Sequence, residues 1–311
     1  MTERLDTLAT SQTEGRATVW DRLRYLYRRS DQLRGYALLS PTLIVMILFL
    51  AVPLLILFTL SFWTQTYIEF DRSFTPANYL KFFERPIYSL LLGKSILISL
   101  CVATMTVLLA YPMAYFLAFR VKRAKILWLI LITVPFWTSY LLRVFAWKIT
   151  LGYQGVINSG LMSLGIIDEP LQFLLYNPFS VVITLAHAWA AFAILPIYVS
   201  LEKIDRTLLE AARDLGDGPV ARFFGVTLPL SMPGVIAAFL FVFIPTVGDY
   251  VTPRLVGGTT GIMIGNIIQS MFGKANNWPM GAALAVISMV IIASLICVSL
   301  WFVRRMQRMS V

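Results

Sequence analysis

Long apolar runs separated by short polar segments dominate this chain. A helix that crosses a bilayer needs about 20 mostly apolar residues, and six runs meet that length. They are Tyr36–Trp63, Ser95–Phe119, Ile126–Trp147, Phe179–Leu201, Ser231–Val251 and Ala282–Val303. The first run is too long, and begins too late, to be a signal peptide. The pattern therefore predicts an all-α, polytopic membrane protein with six transmembrane helices.

Composition and charge agree with a membrane protein. Hydrophobic residues make up 58% of the 311 residues and charged residues 14%, and the mean hydropathy is +0.76. A soluble domain has about a quarter charged residues. The net charge of +10 comes from 26 basic residues, of which 18 lie in the segments on the side of both termini and 8 on the other side. The positive-inside rule places that richer side in the cytoplasm, so the charge needs no nucleic-acid partner.

Three regions follow from these runs: a basic leader at 1–35, the membrane domain at 36–303 and a short tail at 304–311. In the leader, Trp20, Leu23 and Tyr27 recur at helical spacing among arginines, which is typical of a helix lying in the membrane interface; a loosely ordered basic tail is the alternative. The outer segment Gly152–Pro170 is weakly apolar and too short to span, and we expect a helix on the outer face there.

The cytoplasmic loop between the fourth and fifth spans, residues 202–230, carries helix signals. Thr207 followed three residues later by Glu210 forms a capping-box pattern, and Gly216 permits the left-handed conformation that ends many helices. A second short helix is predicted at Pro219–Gly225, with proline at its first position. The loop therefore predicts two short helices with a bend between them, projecting from the membrane.

The first loop helix has the properties of a contact surface. Ala211 and Ala212 have side chains small enough to let another protein approach the backbone, while Glu210, Arg213 and Asp214 offer charge. A well-capped surface helix without a partner is the alternative interpretation.

These residues resemble a known signature. Glu210-Ala211-Ala212, Gly216 and the run Val226–Pro229 are similar to the EAA motif of ABC importer permeases, with Val226 where that family usually has isoleucine. Further segments are similar to the spermidine/putrescine permease family, and the likeness runs from about Tyr36 to Val303. These segments are Val134–Thr138, Leu209–Gly216, Gly248–Pro253, Gly257–Gly258, Met263–Asn266 and Trp278–Pro279.

The resemblance implies the type I importer permease fold in a bacterial inner membrane. It also implies a translocation pore built with a second, related permease, two ATP-binding subunits and a periplasmic substrate-binding protein. The residues that it assigns to ATPase coupling are Glu210, Ala211, Ala212, Asp214, Gly216, Leu228 and Pro229. The implied mechanism is that closure of the ATPase dimer moves this loop and rocks the attached spans.

ATP chemistry is expected on the partner subunits, together with Mg²⁺. The fragment Gly93-Lys94-Ser95 looks like the end of a P-loop, but Tyr88 occupies the position of the required first glycine. We therefore expect no catalytic residue, no metal site and no cofactor on this chain.

Ionisable residues inside the spans are candidates for the substrate path because charge is costly at membrane depth. Asp249 falls near the outer end of the fifth span, Trp137 falls near the middle of the third, and Tyr140 follows Trp137 at a spacing that shares one helix face. Tyr250 adds a third ring next to the carboxylate. A carboxylate followed by aromatic faces suits an organic cation, since each cation–π contact is worth about 0.5–2 kcal/mol.

A structural interpretation of the same residues stays open. Asp249 can pair with Arg143 or Arg254, and Trp137 can simply pack between helices. For His187, alone in the fourth span, packing is favoured over a proton relay. Cys101 and Cys297 lack metal or disulfide spacing and are expected to be small buried residues.

Other functions make different demands on the sequence. A permease for another small organic cation, an opine or an amino-acid-like solute fits the same scaffold. A secondary transporter predicts inverted repeats and buried carboxylates for a coupling ion, and the sequence has no visible repeat. A membrane-embedded enzyme predicts paired acid, base or metal ligands within the spans, which one histidine does not supply.

Overall fold

The computed structural model describes residues 31–67 and 69–309, which form helices joined by short loops and one small hairpin. The leader residues Trp20, Leu23 and Tyr27 lie outside the described residues. The α-helices are α1 (Asp31–Ser61), α2 (Ala77–Glu84), α3 (Pro86–Tyr115), α4 (Lys125–Thr133), α5 (Tyr140–Leu151), α6 (Val156–Ser163), α7 (Pro178–Ala188), α8 (Ala190–Glu202), α9 (Arg206–Asp214), α10 (Pro219–Arg222), α11 (Leu228–Val247), α12 (Val251–Val256), α13 (Ile264–Phe272) and α14 (Trp278–Met309). Single 3-10 or π turns occupy Phe116–Arg120, Val134–Trp137, Gln172–Leu174 and Phe223–Thr227, and the strands are β1 (Thr64–Thr66) and β2 (Glu69–Asp71).

Six membrane crossings are available in the described chain. Four helices are long and apolar enough to span a bilayer, at Gly35–Ser61, Pro86–Arg120, Pro219–Val247 and Trp278–Trp301. Two bent pairs qualify when each is taken as one span: Lys125–Trp137 with Tyr140–Ser163, bent by 83°, and Pro178–Ala188 with Ala190–Glu202, bent by 49°. The predicted number of spans agrees with this count, but the third and fourth spans are broken where the sequence predicts continuous helices.

The two breaks differ in their local structure. In the third span Pro135 stands at the start of the 3-10 turn and lacks the N–H that an α-helix needs, and Thr138 then adopts an extended backbone. In the fourth span the break falls at Trp189, with φ −103° and ψ 1°. The carbonyl before it, Ala188 O, accepts a hydrogen bond from Arg143.

The chain divides into two compact units, Met1–Thr59 and Leu60–Val311. The first unit contains most of α1, whose residues 35–59 are exposed or half-buried in this chain. The core of the second unit is formed by α3, α8 and α11. Gly234 of α11 lies against α8, and a Cβ atom there would stand 2.5 Å from the Pro196 carbonyl oxygen. Tyr111 and Ser231 add a hydroxyl hydrogen bond of 2.9 Å between α3 and α11.

A two-stranded antiparallel hairpin, β1 with β2, follows the first span. It was not predicted, because three-residue strands are too short to show an alternating pattern. Gln65 connects it to the turn before α14 by donating to the Asn276 carbonyl at 2.7 Å and accepting from the Trp278 backbone N–H at 3.1 Å.

The outer segment contains the expected helix, α6. The two cysteines are free, as expected, but both are exposed in this chain rather than buried. Each belongs to a long, almost wholly apolar helix. In such a helix, hydropathy alone does not distinguish the residues that face outward from those that face inward.

Candidate functional site

Two regions at opposite ends of α11 contain the predicted functional residues. Its 20 residues correspond to about 30 Å of helix. The loop at 202–230 enters at its first residue, Leu228, and Asp249 follows two residues after its last, Val247.

The N-cap of the loop helix α9 is Asp205, not Thr207. The Asp205 carboxylate accepts the Thr207 backbone N–H at 3.0 Å, and this hydrogen bond holds the pKa of Asp205 below its usual value. A carboxylate with a lowered pKa stabilises the folded form above its unfolded-state pKa and loses that effect only as the pH falls through the folded value. The cap is therefore charged at neutral pH. The predicted capping box with Glu210 is wrong, because the helix begins two residues earlier.

The C-terminal end of α9 confirms the left-handed conformation predicted for Gly216. Its φ is +94°, in the left-handed region that glycine adopts without strain. The Gly216 N–H donates to the Arg213 carbonyl and the Asp217 N–H donates to the Ala212 carbonyl, both at 3.0 Å. These two bonds form a Schellman motif, which fixes the direction in which the chain leaves the helix.

The second loop helix begins at Pro219 as predicted, but it does not stop at Gly225. The chain continues through the π turn Phe223–Thr227 directly into α11. Gly225 has no positive φ, and a Cβ atom at this position would meet no atom within 4 Å, so nothing ends the helix there. Residues 219–247 therefore form one continuous rod that joins the loop to the membrane.

The residues predicted to couple to the ATPase lie on different faces of this region. Ala212 is buried within the chain and Leu228 is half-buried. The others are exposed, namely Glu210, Ala211, Asp214, Gly216 and Pro229. Glu210 and Arg213 line a cavity of about 250 Å³ between α9, α10 and the end of α3. Sequence reasoning missed the apolar part of this surface, which consists of Leu208, Leu215, Val220 and Phe224, exposed by 49–87%. Apolar residues in a cytoplasmic loop are the signal that could have found it.

An ion pair connects the loop region to the third span. Lys125 Nζ, at the start of α4, lies 2.6 Å from Glu202 Oε1, at the end of α8. Glu202 precedes the Asp205 cap by three residues. The pair therefore joins the start of the third span to the end of the fourth, just before α9.

Asp249 is held by neutral donors at the other end of α11. Its Oδ2 accepts the Tyr140 hydroxyl at 2.7 Å and its Oδ1 accepts the Val251 backbone N–H at 2.9 Å. Among residues 31–67 and 69–309 neither Arg143 nor Arg254 lies within ion-pair distance of it. The pairing alternative is therefore not observed, and neither arginine neutralises the carboxylate.

Backbone packing positions this carboxylate. Gly265 of α13 lies against the turn at 248–249, where a Cβ atom would be 2.7 Å from Gly248 O. Asn266 Nδ2 donates to the Tyr250 carbonyl at 2.8 Å. Buried Thr252, which sequence reasoning missed, shares a 2.5 Å hydrogen bond with the Tyr140 hydroxyl. Its place three residues after Asp249 in the Gly248–Pro253 segment was the available signal.

The aromatic residues are only partly brought together. Tyr140 contacts Asp249, but Trp137 does not share a helix face with Tyr140, because the 3-10 turn ends at Trp137 and α5 begins at Tyr140. The prediction of one face is wrong for that reason. Trp137 is 77% exposed and Tyr250 is 43% exposed in this chain.

Arg143 and His187 both lie next to the Phe136 ring. The Arg143 guanidinium carbon is 4.9 Å from the Phe136 ring centre and 6.0 Å from that of Tyr140. His187 is exposed and lies beside Phe136 and Trp147, with ring centres 6.3 and 5.5 Å apart. The described residues contain no group of three or more His, Cys, Asp or Glu side chains that could hold a metal ion.

Comparison with known proteins identifies the class of protein to which this chain belongs. Residues 34–308 match the family described as binding-protein-dependent transport system inner membrane component. The chain belongs to this family of multi-pass inner-membrane permeases of ABC importers.

Individual transport permeases are also similar to this chain. The chain is 36% identical over 267 residues to the spermidine/putrescine transport system permease protein PotB of Escherichia coli K12, covering 86% of this chain and 96% of that protein. It is 37% identical to the PotB protein of Haemophilus influenzae, covering 81% and 88%. The E. coli inner membrane ABC transporter permease protein YdcU is 34% identical, covering 73% and 77%.

A solved structure agrees on the fold. A chain of the bacterial ABC transporter involved in the import of the acidic polysaccharide alginate superposes with a TM-score of 0.65, at 20% identity, over 91% of this chain and 99% of that one. The fold is therefore that of a type I importer permease, as predicted.

Proposed function

We propose that this chain is a pore-forming permease subunit of an ATP-driven importer of polyamines such as spermidine and putrescine. The observation that carries the proposal is the Asp249 carboxylate, which sits at the end of a span with only neutral hydrogen-bond donors around it. Among the described residues no basic side chain lies within 4 Å of it, so a protonated amine of the substrate can pair with it.

Relatives support the choice of substrate. The PotB proteins of two organisms are named for spermidine and putrescine transport and match this chain over more than four-fifths of its length. The carboxylate favours an organic cation over an acidic solute such as alginate, the polysaccharide that the structural neighbour imports.

Coupling to ATP hydrolysis is assigned to the loop around α9. The exposed Glu210 and Ala211 and the turn at Gly216 lie just before the continuous rod from Pro219 to Val247, which enters a span. An ATPase subunit that binds this loop can act on α11 through that rod. ATP and Mg²⁺ belong to that partner, and this chain supplies no catalytic group.

The remaining partners follow from the same proposal. A second, related permease completes the pore, two ATP-binding subunits lie on the cytoplasmic side, and a periplasmic binding protein delivers the substrate. A bacterial alginate ABC transporter of similar fold has been solved in complex with its substrate-bound periplasmic protein, which supports the last partner. Both termini face the cytoplasm.

Uptake of radiolabelled spermidine and putrescine by cells with and without this chain tests the substrate. We expect uptake to depend on the chain and to be blocked by an excess of unlabelled polyamine. Opine and amino-acid competitors test the rival substrates. Uptake that these competitors block, and polyamines do not, would contradict the proposal.

A further inference from the structure

Arg143 is a fixed positive charge beside a path proposed for cations. An arginine inside a span is costly, and a positive group there also repels a cationic substrate. The contacts of Arg143 explain why a positive charge is found at this position.

The guanidinium is held by a dipole and by ring faces. Its Nη1 donates to Ala188 O at 3.0 Å, at the carboxyl end of α7, where the helix dipole favours a cation. Its central carbon lies over Phe136 at 4.9 Å and near Tyr140 at 6.0 Å. In the described chain no carboxylate lies within 4 Å of it.

The Arg143 guanidinium is not fully hydrogen-bonded. A guanidinium has five N–H donors, yet Nε is buried and donates to no acceptor in the part of the chain that the structure describes. A side chain bound in this way can be released at a lower cost than a fully hydrogen-bonded arginine.

One tyrosine connects this cation to the carboxylate. The Tyr140 hydroxyl donates to Asp249 while its ring lies beside Arg143. The ring face is thus occupied by an internal cation at the point where an ammonium group entering past Asp249 would next arrive.

We propose that Arg143 is a specificity-determining residue, which occupies the cation site formed by Phe136, Tyr140 and the Ala188 carbonyl until a substrate cation displaces it. This inference rests on the proposed function, because it concerns the same path. Its consequence is selectivity: free cations at low concentration do not reach this site, and the transporter stays idle without a loaded binding protein.

Three variants in the full transporter, assembled in nanodiscs without binding protein, test this. Arg143→Gln keeps a donor for Ala188 O but removes the charge, and Arg143→Lys keeps both. Lys148→Gln removes the same charge from the same helix at a position outside the ring site. ATP hydrolysis is measured while spermidine, or the guanidinium-bearing cation agmatine, is titrated.

We expect Arg143→Gln to respond to either cation at about tenfold lower concentration than the wild type, since the vacated site regains a cation–π contact of about 1.4 kcal/mol. Arg143→Lys and Lys148→Gln should follow the wild type. A wild-type titration for Arg143→Gln, an equal shift for Lys148→Gln, or no response of any variant to either cation would overturn the inference. A response of Arg143→Gln to agmatine but not spermidine would uphold the role of Arg143 and contradict the polyamine assignment instead.

Discussion

At the scale of single residues, the account depends on one carboxylate. Asp249 accepts hydrogen bonds from a hydroxyl and a backbone N–H, and both donors are neutral. Neutral donors satisfy its lone pairs without cancelling its charge. These contacts therefore leave the carboxylate able to pair with a cation, as proposed.

Replacing Asp249 by asparagine should lower polyamine uptake by about 10- to 100-fold, since an interaction with a charged group contributes roughly 1.5–3 kcal/mol. The amide keeps the size and accepting oxygen but not the charge. Trp137→Leu should also lower uptake, and Trp137→Phe should retain part of it, because only the latter keeps a ring face. Labelled polyamine uptake is measured at equal membrane abundance.

Asp168→Asn is the matched control, because it removes the same charge from an exposed site in the outer segment. It should transport normally. If Asp249→Asn and Trp137→Leu lose uptake only in proportion to lost protein, both residues are structural and the path lies on the partner permease.

The sequence predicts these residues to different degrees. Asp249 and Tyr140 are found by residue type and by the Gly248–Pro253 segment, and the structure brings them together. The Thr252 contact with Tyr140 and the Arg143 contact with Ala188 O depend on bends in the backbone. A count of apolar residues does not reveal such bends. The Asp205 cap was missed because two capping patterns overlap within three residues.

At the scale of elements, α8 and α11 pack closely against each other. Gly234 lets the two helices meet, with the Pro196 carbonyl and the Ser200 side chain where a Cβ atom would stand. The sequence predicts both spans from hydropathy. It does not predict this contact, since apolar helices have no polar face to indicate their orientation.

Gly234→Ala should destabilise the purified transporter by about 1–3 kcal/mol, the usual cost of overpacking. A lower thermal unfolding midpoint is the measurement. Gly225→Ala is the control, because a Cβ atom there meets nothing within 4 Å, and it should leave the midpoint unchanged or slightly higher. Equal effects of the two variants would contradict the close approach of α8 and α11.

The end of α9 supplies a second prediction at this scale. Gly216→Ala forces a non-glycine residue into the left-handed region at a cost of about 1–2 kcal/mol, and Glu210→Ala removes charge from the exposed face. Both variants should insert normally but reduce the ATP hydrolysis that a loaded binding protein stimulates.

Two controls accompany this measurement. Gly225→Ala adds a methyl group in the same loop, and Asp217→Ala removes a charge just beyond the turn. Both should keep normal stimulation. Wild-type stimulation in the Gly216 and Glu210 variants would remove the coupling role from α9.

At the scale of the whole molecule, the distribution of basic residues determines orientation. Of the 26, 18 lie in the segments on the side of both termini, which we expect to be cytoplasmic. The loop around α9 lies on that same side by the count of spans, whereas α6 and Asp249 lie towards the other.

Cysteine labelling in intact cells tests this orientation. The background replaces Cys101 and Cys297 by serine, since both are exposed in this chain. A membrane-impermeant maleimide should label Ser163→Cys in α6 and fail to label Ser310→Cys until the cells are opened. The reverse pattern would place the coupling surface outside the cell, where no ATP is available.

Transport by the purified complex tests the central claim most directly. The two permeases, the ATPase subunits and polyamine-loaded binding protein are reconstituted in liposomes, and accumulation of labelled spermidine and putrescine is followed with and without ATP. The account predicts accumulation that needs ATP and this chain and that falls with Asp249→Asn. An assembled complex that hydrolyses ATP and accumulates an opine or an amino acid, but neither polyamine, would contradict it.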